Sequence, residues 1–345
     1  MLYVTTRIGD DVFTASRALA ENRGPDGGFY VPMRLPRLDH SQIAELKEKT
    51  FSQVVAEIMN LFFGTKIDGQ SIELAVGRYP VKLCPLNGKI VAVKAWNNPV
   101  YRFNRFVSGV EKVIRQSEQS SERAADWVQI AVRISMLFGV YCHLMQGRLI
   151  SKGQEIDISV PSGDMSQLMA AWYARSMGLP IGTIVCCCNE NHTLWNLLHK
   201  GELRTDTIAE QTHTPDCDYT VVPDLERLIF AVSDHKEVSR FCEAYRTGSI
   251  YGLGPELTER LRAGMHVSVV SVKRMASTIP NLYKTTEFLA DPYTALSYSG
   301  LIDYRAAIGS NKPAVIISEE SPLFSLEFVA QCMNMLPAEL KRILD

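Results

Sequence analysis

From residue 155 onward the chain alternates short apolar runs of strand character with amphipathic runs of helical character, and this period constrains the fold more than any other feature. Strand candidates lie at 155–160, 181–188, 219–222, 266–272 and 314–318. Between and after them, the spacing of apolar residues predicts helices over 166–177, 225–230, 236–247, 256–263, 293–308 and 325–335. Apolar strands separated by helices belong in a mostly parallel sheet covered on both faces, so the expected class is α/β. Upstream, 41–63 reads as one amphipathic helix with Asp39 or Ser41 as its cap, 90–96 as a strand and 107–115 as a helix. Residues 116–123 read as a polar connection, and 127–145 as a long apolar helix.

Composition excludes several function classes. With 345 residues, 46% of them hydrophobic, the chain can bury a full core. Its 36 Lys and Arg against 38 Asp and Glu leave a net charge of -2, which gives no electrostatic footprint for nucleic acid or an anionic membrane. Arg7, Asp10, Asp11 and Arg17 interrupt the first apolar stretch, so it does not read as a signal peptide, and a cytoplasmic location is expected. Eight cysteines without a C-x-x-C pair fit reduced thiols, and no disulfide is expected. Along a strand, Cys186, Cys187 and Cys188 alternate between opposite faces, so they do not converge on one ion. His192 and His199 have no identifiable partners as ligands and read as surface or core histidines, which leaves no metal site expected.

Five segments carry the remaining information. Pro25-Asp26-Gly27-Gly28-Phe29-Tyr30-Val31-Pro32 is a turn signal leading into extended chain. The others are Asn98-Pro99-Val100-Tyr101-Arg102-Phe103-Asn104-Arg105-Phe106, Ser159-Val160-Pro161-Ser162-Gly163, Asn189-Glu190-Asn191-His192-Thr193-Leu194 and Asp291-Pro292-Tyr293-Thr294-Ala295. In this order they resemble the "PDGGLYVP", "GPTLAFKDF", "VPSGN", "N-x-N-D-x-V" and "DPHTAV" segments of the threonine synthases. The resemblance implies the type II fold of enzymes that use pyridoxal phosphate (PLP), like the tryptophan synthase β chain, with a three-layer, mostly parallel core.

Departures from the family pattern bear on chemistry. Asn104 falls where the family lysine forms the Schiff base, and an amide supplies neither the covalent anchor nor the base. The phosphate cup, "SGNFGN" in the family, here reads Ser162-Gly163-Asp164-Met165-Ser166-Gln167. Ser166 replaces a glycine, and Asp164 puts a negative charge beside a site for a dianion; alternatively Asp164 caps the following helix. Only about 55 residues separate Asn104 from Pro161, which leaves no room for the family's small domain and its "SGDTG" loop. Glu319 and Glu320 replace small neutral residues near the expected pyridine ring. They pair with a cation there, or lie in a solvated turn capped by Ser321. Lys94 lies ten positions before Asn104, too far along an extended chain to replace the lost lysine directly.

Three regions follow: 1–80, an N-terminal threonine-synthase-like helical region; 81–124, the remnant of the lysine segment with its connection; and 125–345, the main α/β domain. The reading is of a threonine-synthase-like chain lacking most of the small domain, a pseudoenzyme or scaffold of the amino-acid biosynthesis family. No catalytic residue is assigned. Its residual pocket comprises Asn104, Ser162, Gly163, Asp164, Met165, Ser166, Gln167, Asn189 and Glu319. No cofactor is expected; the alternative is PLP bound weakly and without a covalent bond. A protein partner or a homodimer is expected, because the missing domain uncovers apolar surface unless the 127–145 helix covers it. A small ligand is a further expectation, whereas nucleic acid and membrane are not. The alternative function is an enzyme, a phosphohomoserine-type lyase or other amino-acid chemistry, active only with a partner.

Overall fold

The computed structural model describes residues 1–9, 11–78, 81–96, 104–118, 126–163, 165–222 and 224–344. The N-terminal region opens with strand β1 (Leu2–Thr5), strand β2 (Phe13–Thr14), helix α1 (Ala15–Ala20) and strand β3 (Tyr30–Pro32), the strands forming a small antiparallel sheet in the order β2-β1-β3. Three helices follow: α2 (His40–Leu46), α3 (Phe51–Phe63) and α4 (Gly69–Val76). The single helix expected over 41–63 is therefore two. Asp39 and Thr50 each close a capping box, with Gln42 and Gln53, so the chain carries two helix starts where the apolar period alone shows one.

Strands β4 (Lys82–Pro85) and β5 (Ile90–Lys94) lead to helices α5 (Asn104–Glu118) and α6 (Asp126–Gln146). Then come β6 (Ile156–Pro161), α7 (Ser166–Ser176), β7 (Ile181–Cys188), α8 (Thr193–Lys200) and β8 (Glu202–Leu203). The chain continues through α9 (Leu225–Val232), α10 (His235–Thr247), β9 (Tyr251–Gly252), α11 (Pro255–Arg262) and β10 (Met265–Val269). It ends with α12 (Val272–Thr286), α13 (Pro292–Ile308), β11 (Ala314–Ser318), α14 (Leu326–Met333) and α15 (Pro337–Leu344).

The central sheet has six strands in the order β10-β7-β6-β11-β5-β4, all parallel except β4, which pairs antiparallel with β5. This is the expected α/β class. Residues 219–222 are not a strand: the Leu225 amide bonds to the Val222 carbonyl at 3.1 Å, so this stretch turns directly into α9. The strand expected over 266–272 stops at Val269, because Ser271 accepts a hydrogen bond from the Arg274 amide and starts α12. The interior Pro280 disguises that helix, although Met275, Ile279 and Leu282 keep its buried face.

One face of the sheet packs on the N-terminal helices and on α6 and α7, the other on α12, α13 and α14. Cys186 and Cys188 join the first apolar cluster and Cys187 the second, as strand alternation requires, and all eight thiols are free. Helix α6 is long and apolar enough to cross a membrane, but 17 of its 21 residues are buried inside the protein. The Trp127 ring meets Tyr3, Phe62 and Tyr173 edge to face at 5.5–6.0 Å, and its N–H donates to the Tyr3 hydroxyl at 3.1 Å.

Candidate functional site

Parallel strands bring their carboxyl ends to one edge of the sheet, and ligands of open α/β sheets bind outside that edge where neighbouring strands lead in opposite directions. Here β6 runs on to β7 on one side, while β11 and β5 lie on the other. At this point opens a cavity of about 370 Å³ lined by Pro161, Gly163, Met165, Ser166 and Gln167 after β6, and by Ile317, Glu319 and Glu320 at the end of β11. Gln129 and Arg133 of α6, together with Asp216, Tyr219 and Tyr293, complete the lining.

Most of the residues expected at the site do meet here. Gly163, Met165, Ser166, Gln167 and Glu319 line the cavity, and Ser162 is buried beside it. Asp164 lies outside the described residues. The cap position of α7 falls on Met165, which has a φ of 66° and no side-chain capping bond, so the expected cap at 164 is not the one used. Helix α5 begins at Asn104, whose side chain lies outside the described part, as do residues 97–103. Asn189 does not line the cavity. Its amide N–H groups donate to Thr212, Thr214 and Asp218 at 2.7–3.0 Å, and its carbonyl accepts from the Asn191 amide, fixing the 212–218 loop that carries Asp216 to the rim. Lys94 stands elsewhere, with its ammonium 3.7 Å from the centre of the Trp96 ring, and burial lowers its pKa.

Electrostatics define the cavity. Arg133 donates from Nε and Nη2 to the two carboxylate oxygens of Glu319 at 2.9 and 2.8 Å, a bidentate pair with both side chains largely buried. Glu319 is thus paired with a cation, while Ser321 caps the turn by accepting from the Leu323 amide. Arg133 was not legible as a site residue: it sits in an otherwise apolar helical run, and only that incongruity marks it. Beneath the cavity floor, the Gly163 amide donates to the Cys217 sulfur at 3.3 Å. Burial pushes the Cys217 thiol up to about 12, so it accepts as a neutral thiol. Asp291 caps α13 by accepting from the Tyr293 and Thr294 amides at 2.9 and 3.1 Å, and Ser318 donates to its second oxygen at 3.2 Å. Complete burial raises its pKa.

A PLP group, which the resemblance implies, needs an amine and a cradle of donors for a dianion. The described lining residues do not fit it. They include no lysine, their cation Arg133 is held by Glu319, and the Gly163 N–H is taken by a thiol. Asp216, Glu319 and Glu320 face the space where an anion would lie. Among the described residues, no group of His, Cys, Asp and Glu has the geometry to hold a metal ion.

Residues 2–78 match the family model for the threonine synthase N terminus. The chain is 26% identical over 182 residues to the human "Threonine synthase-like 1" protein, a match covering 52% of this chain and 24% of that one. The matched part therefore spans about a quarter of the length of such relatives. Against the threonine synthase of Schizosaccharomyces pombe it is 19% identical over 419 aligned residues, covering 85% of this chain and 82% of the other. An alignment longer than this whole chain means that the relative carries stretches absent here. Among solved structures, the PLP-bound threonine synthase from Brucella melitensis superposes with a TM-score of 0.83 at 18% identity, covering 100% and 94% of the two chains. The yeast enzyme superposes at 0.81 and 16% identity, covering 99% and 93%. These likenesses establish the type II fold, and residues 2–78 are similar to the N terminus of threonine synthases.

Proposed function

We propose that this chain is a threonine-synthase-like scaffold that does not carry out PLP-dependent lyase chemistry. The observation that carries the reading is the charge arrangement at the strand ends, where the Arg133–Glu319 pair and two further carboxylates stand in the place open to a ligand. A dianion entering this space has to displace Glu319 from Arg133 or lie beside the Asp216 and Glu320 carboxylates, and either costs more than the end of one helix returns. Asn104, at the position of the family lysine, supports the same conclusion from sequence. The scaffold then serves a small ligand of another charge type, or a protein partner, from the same cytoplasmic compartment as its cysteines suggest.

Purified protein incubated with PLP tests this reading. No aldimine absorbance band at about 420 nm should appear, and borohydride should fix no cofactor to the chain. A stoichiometric, borohydride-stable adduct would overturn the proposal. Peptide mapping of such an adduct would then say whether Lys94 or another lysine had taken over.

A further inference from the structure

A second and larger cavity, about 770 Å³, lies between the N-terminal sheet and the α9–α10 pair, and it shares only the Tyr219 wall with the cavity at the strand ends. Arg7 and Arg23 approach it from the loops flanking β1 and β3, and Val221, Val222, Phe241 and Tyr245 supply apolar and aromatic lining. Its volume suits a small organic molecule, and its lining combines apolar walls with a few placed charges, the usual composition of a ligand site.

Two of its three arginines are already committed. Arg7 makes a bidentate pair with buried Glu226 at 3.1 and 3.0 Å, and Arg246 makes one with Glu243 at 3.0 and 2.7 Å. Arg23 differs. Its guanidinium stacks on Phe29 at 3.3 Å and donates to the Gly27 carbonyl at 3.3 Å, but among the described residues it meets no carboxylate. On Phe29 stacks a second guanidinium, Arg227, 4.0 Å from the ring centre and fully buried. Arg227 pairs with Asp224 through one nitrogen, and its Nε and Nη2 have no hydrogen-bond partner. Two cations share one ring beside the cavity, and its lining of three arginines against Glu226 and Glu243 leaves an excess of positive charge that favours an incoming anion. Partial desolvation lowers the Arg23 pKa, and the nearby Glu226 and Asp126 carboxylates oppose that shift.

We propose that this cavity binds a small organic anion with an apolar or aromatic body, its acid group held by Arg23 and its body by Phe241, Val222 and Tyr245. The inference is independent of the strand-end cavity and of whether PLP binds there. Calorimetric titration of the full chain with phenylacetate, 2-phenylethanol and 2-phenylethylamine tests it, because the three probes share a shape and differ in charge. Phenylacetate should bind at least about tenfold more tightly than the amine, with the alcohol between them. Arg23→Gln should weaken phenylacetate at least about tenfold, Arg23→Lys should keep part of the affinity, and Arg133→Gln in the other cavity should leave the affinity for phenylacetate unchanged. Arg23 is exposed, so these variants should fold, which circular dichroism checks. Equal binding of the three probes, no binding of phenylacetate at millimolar concentration, or an Arg23→Gln variant that binds like the native chain would each overturn the proposal.

Discussion

One helix serves two regions with opposite characters. Trp127 of α6 is wedged among Tyr3, Phe62 and Tyr173 in the core, whereas Arg133, under two turns further on, holds Glu319 at the strand-end cavity. The core is an apolar jigsaw that ties the N-terminal sheet to α7. The cavity is a charged arrangement that contributes little to folding and decides what enters. The first region maintains the fold shared with the threonine synthase structures, whereas the second sets which charges face a ligand.

The core side of the comparison carries the largest expected effect. Trp127→Ala removes a fully buried ring together with the Tyr3 hydrogen bond and should destabilise by about 3–5 kcal/mol in urea unfolding. A loss under about 1 kcal/mol would mean that α6 is not the centre of the core. The cavity side comes next. Arg133→Met strands the Glu319 carboxylate and should cost about 2–3 kcal/mol, because water reaching the cavity softens the penalty. The double change Arg133→Met with Glu319→Met should recover most of that. Glu319→Gln should release Arg133 and give the cavity a measurable affinity for inorganic phosphate by calorimetry, and failure to do so would show that charge is not what bars an anion.

A smaller effect is expected beneath the cavity floor. Cys217→Ala leaves the Gly163 N–H without its acceptor and should cost about 1–2 kcal/mol in thermal unfolding. The smallest concerns pH. Burial raises the Asp291 carboxyl, so the folded chain holds that proton more tightly than the unfolded chain. The resulting stability is complete below the ordinary carboxylate range and is lost as pH rises through the raised value. Asp291→Asn preserves a capping oxygen and does not titrate. The stability of the native chain relative to this variant should therefore fall with rising pH across that window, and a flat difference curve would show that the carboxyl is not perturbed by its burial.

Local order was largely legible. The strands Ile181–Cys188 and Ala314–Ser318 lie at the bounds that their apolar runs indicate, because a strand buried on both faces writes its period into contiguous residues. Five colinear motifs likewise pointed to the threonine synthase fold, and Gly163, Met165, Ser166, Gln167 and Glu319 to the strand-end cavity. Tertiary structure alone decided the rest. It placed Arg133 against Glu319 across 186 residues of chain, set Cys217 under Gly163, and turned Asn189 away from the cavity to fasten a loop. Such pairings depend on which strands become neighbours, and periodicity within one segment carries no information about the partner that another segment brings to it.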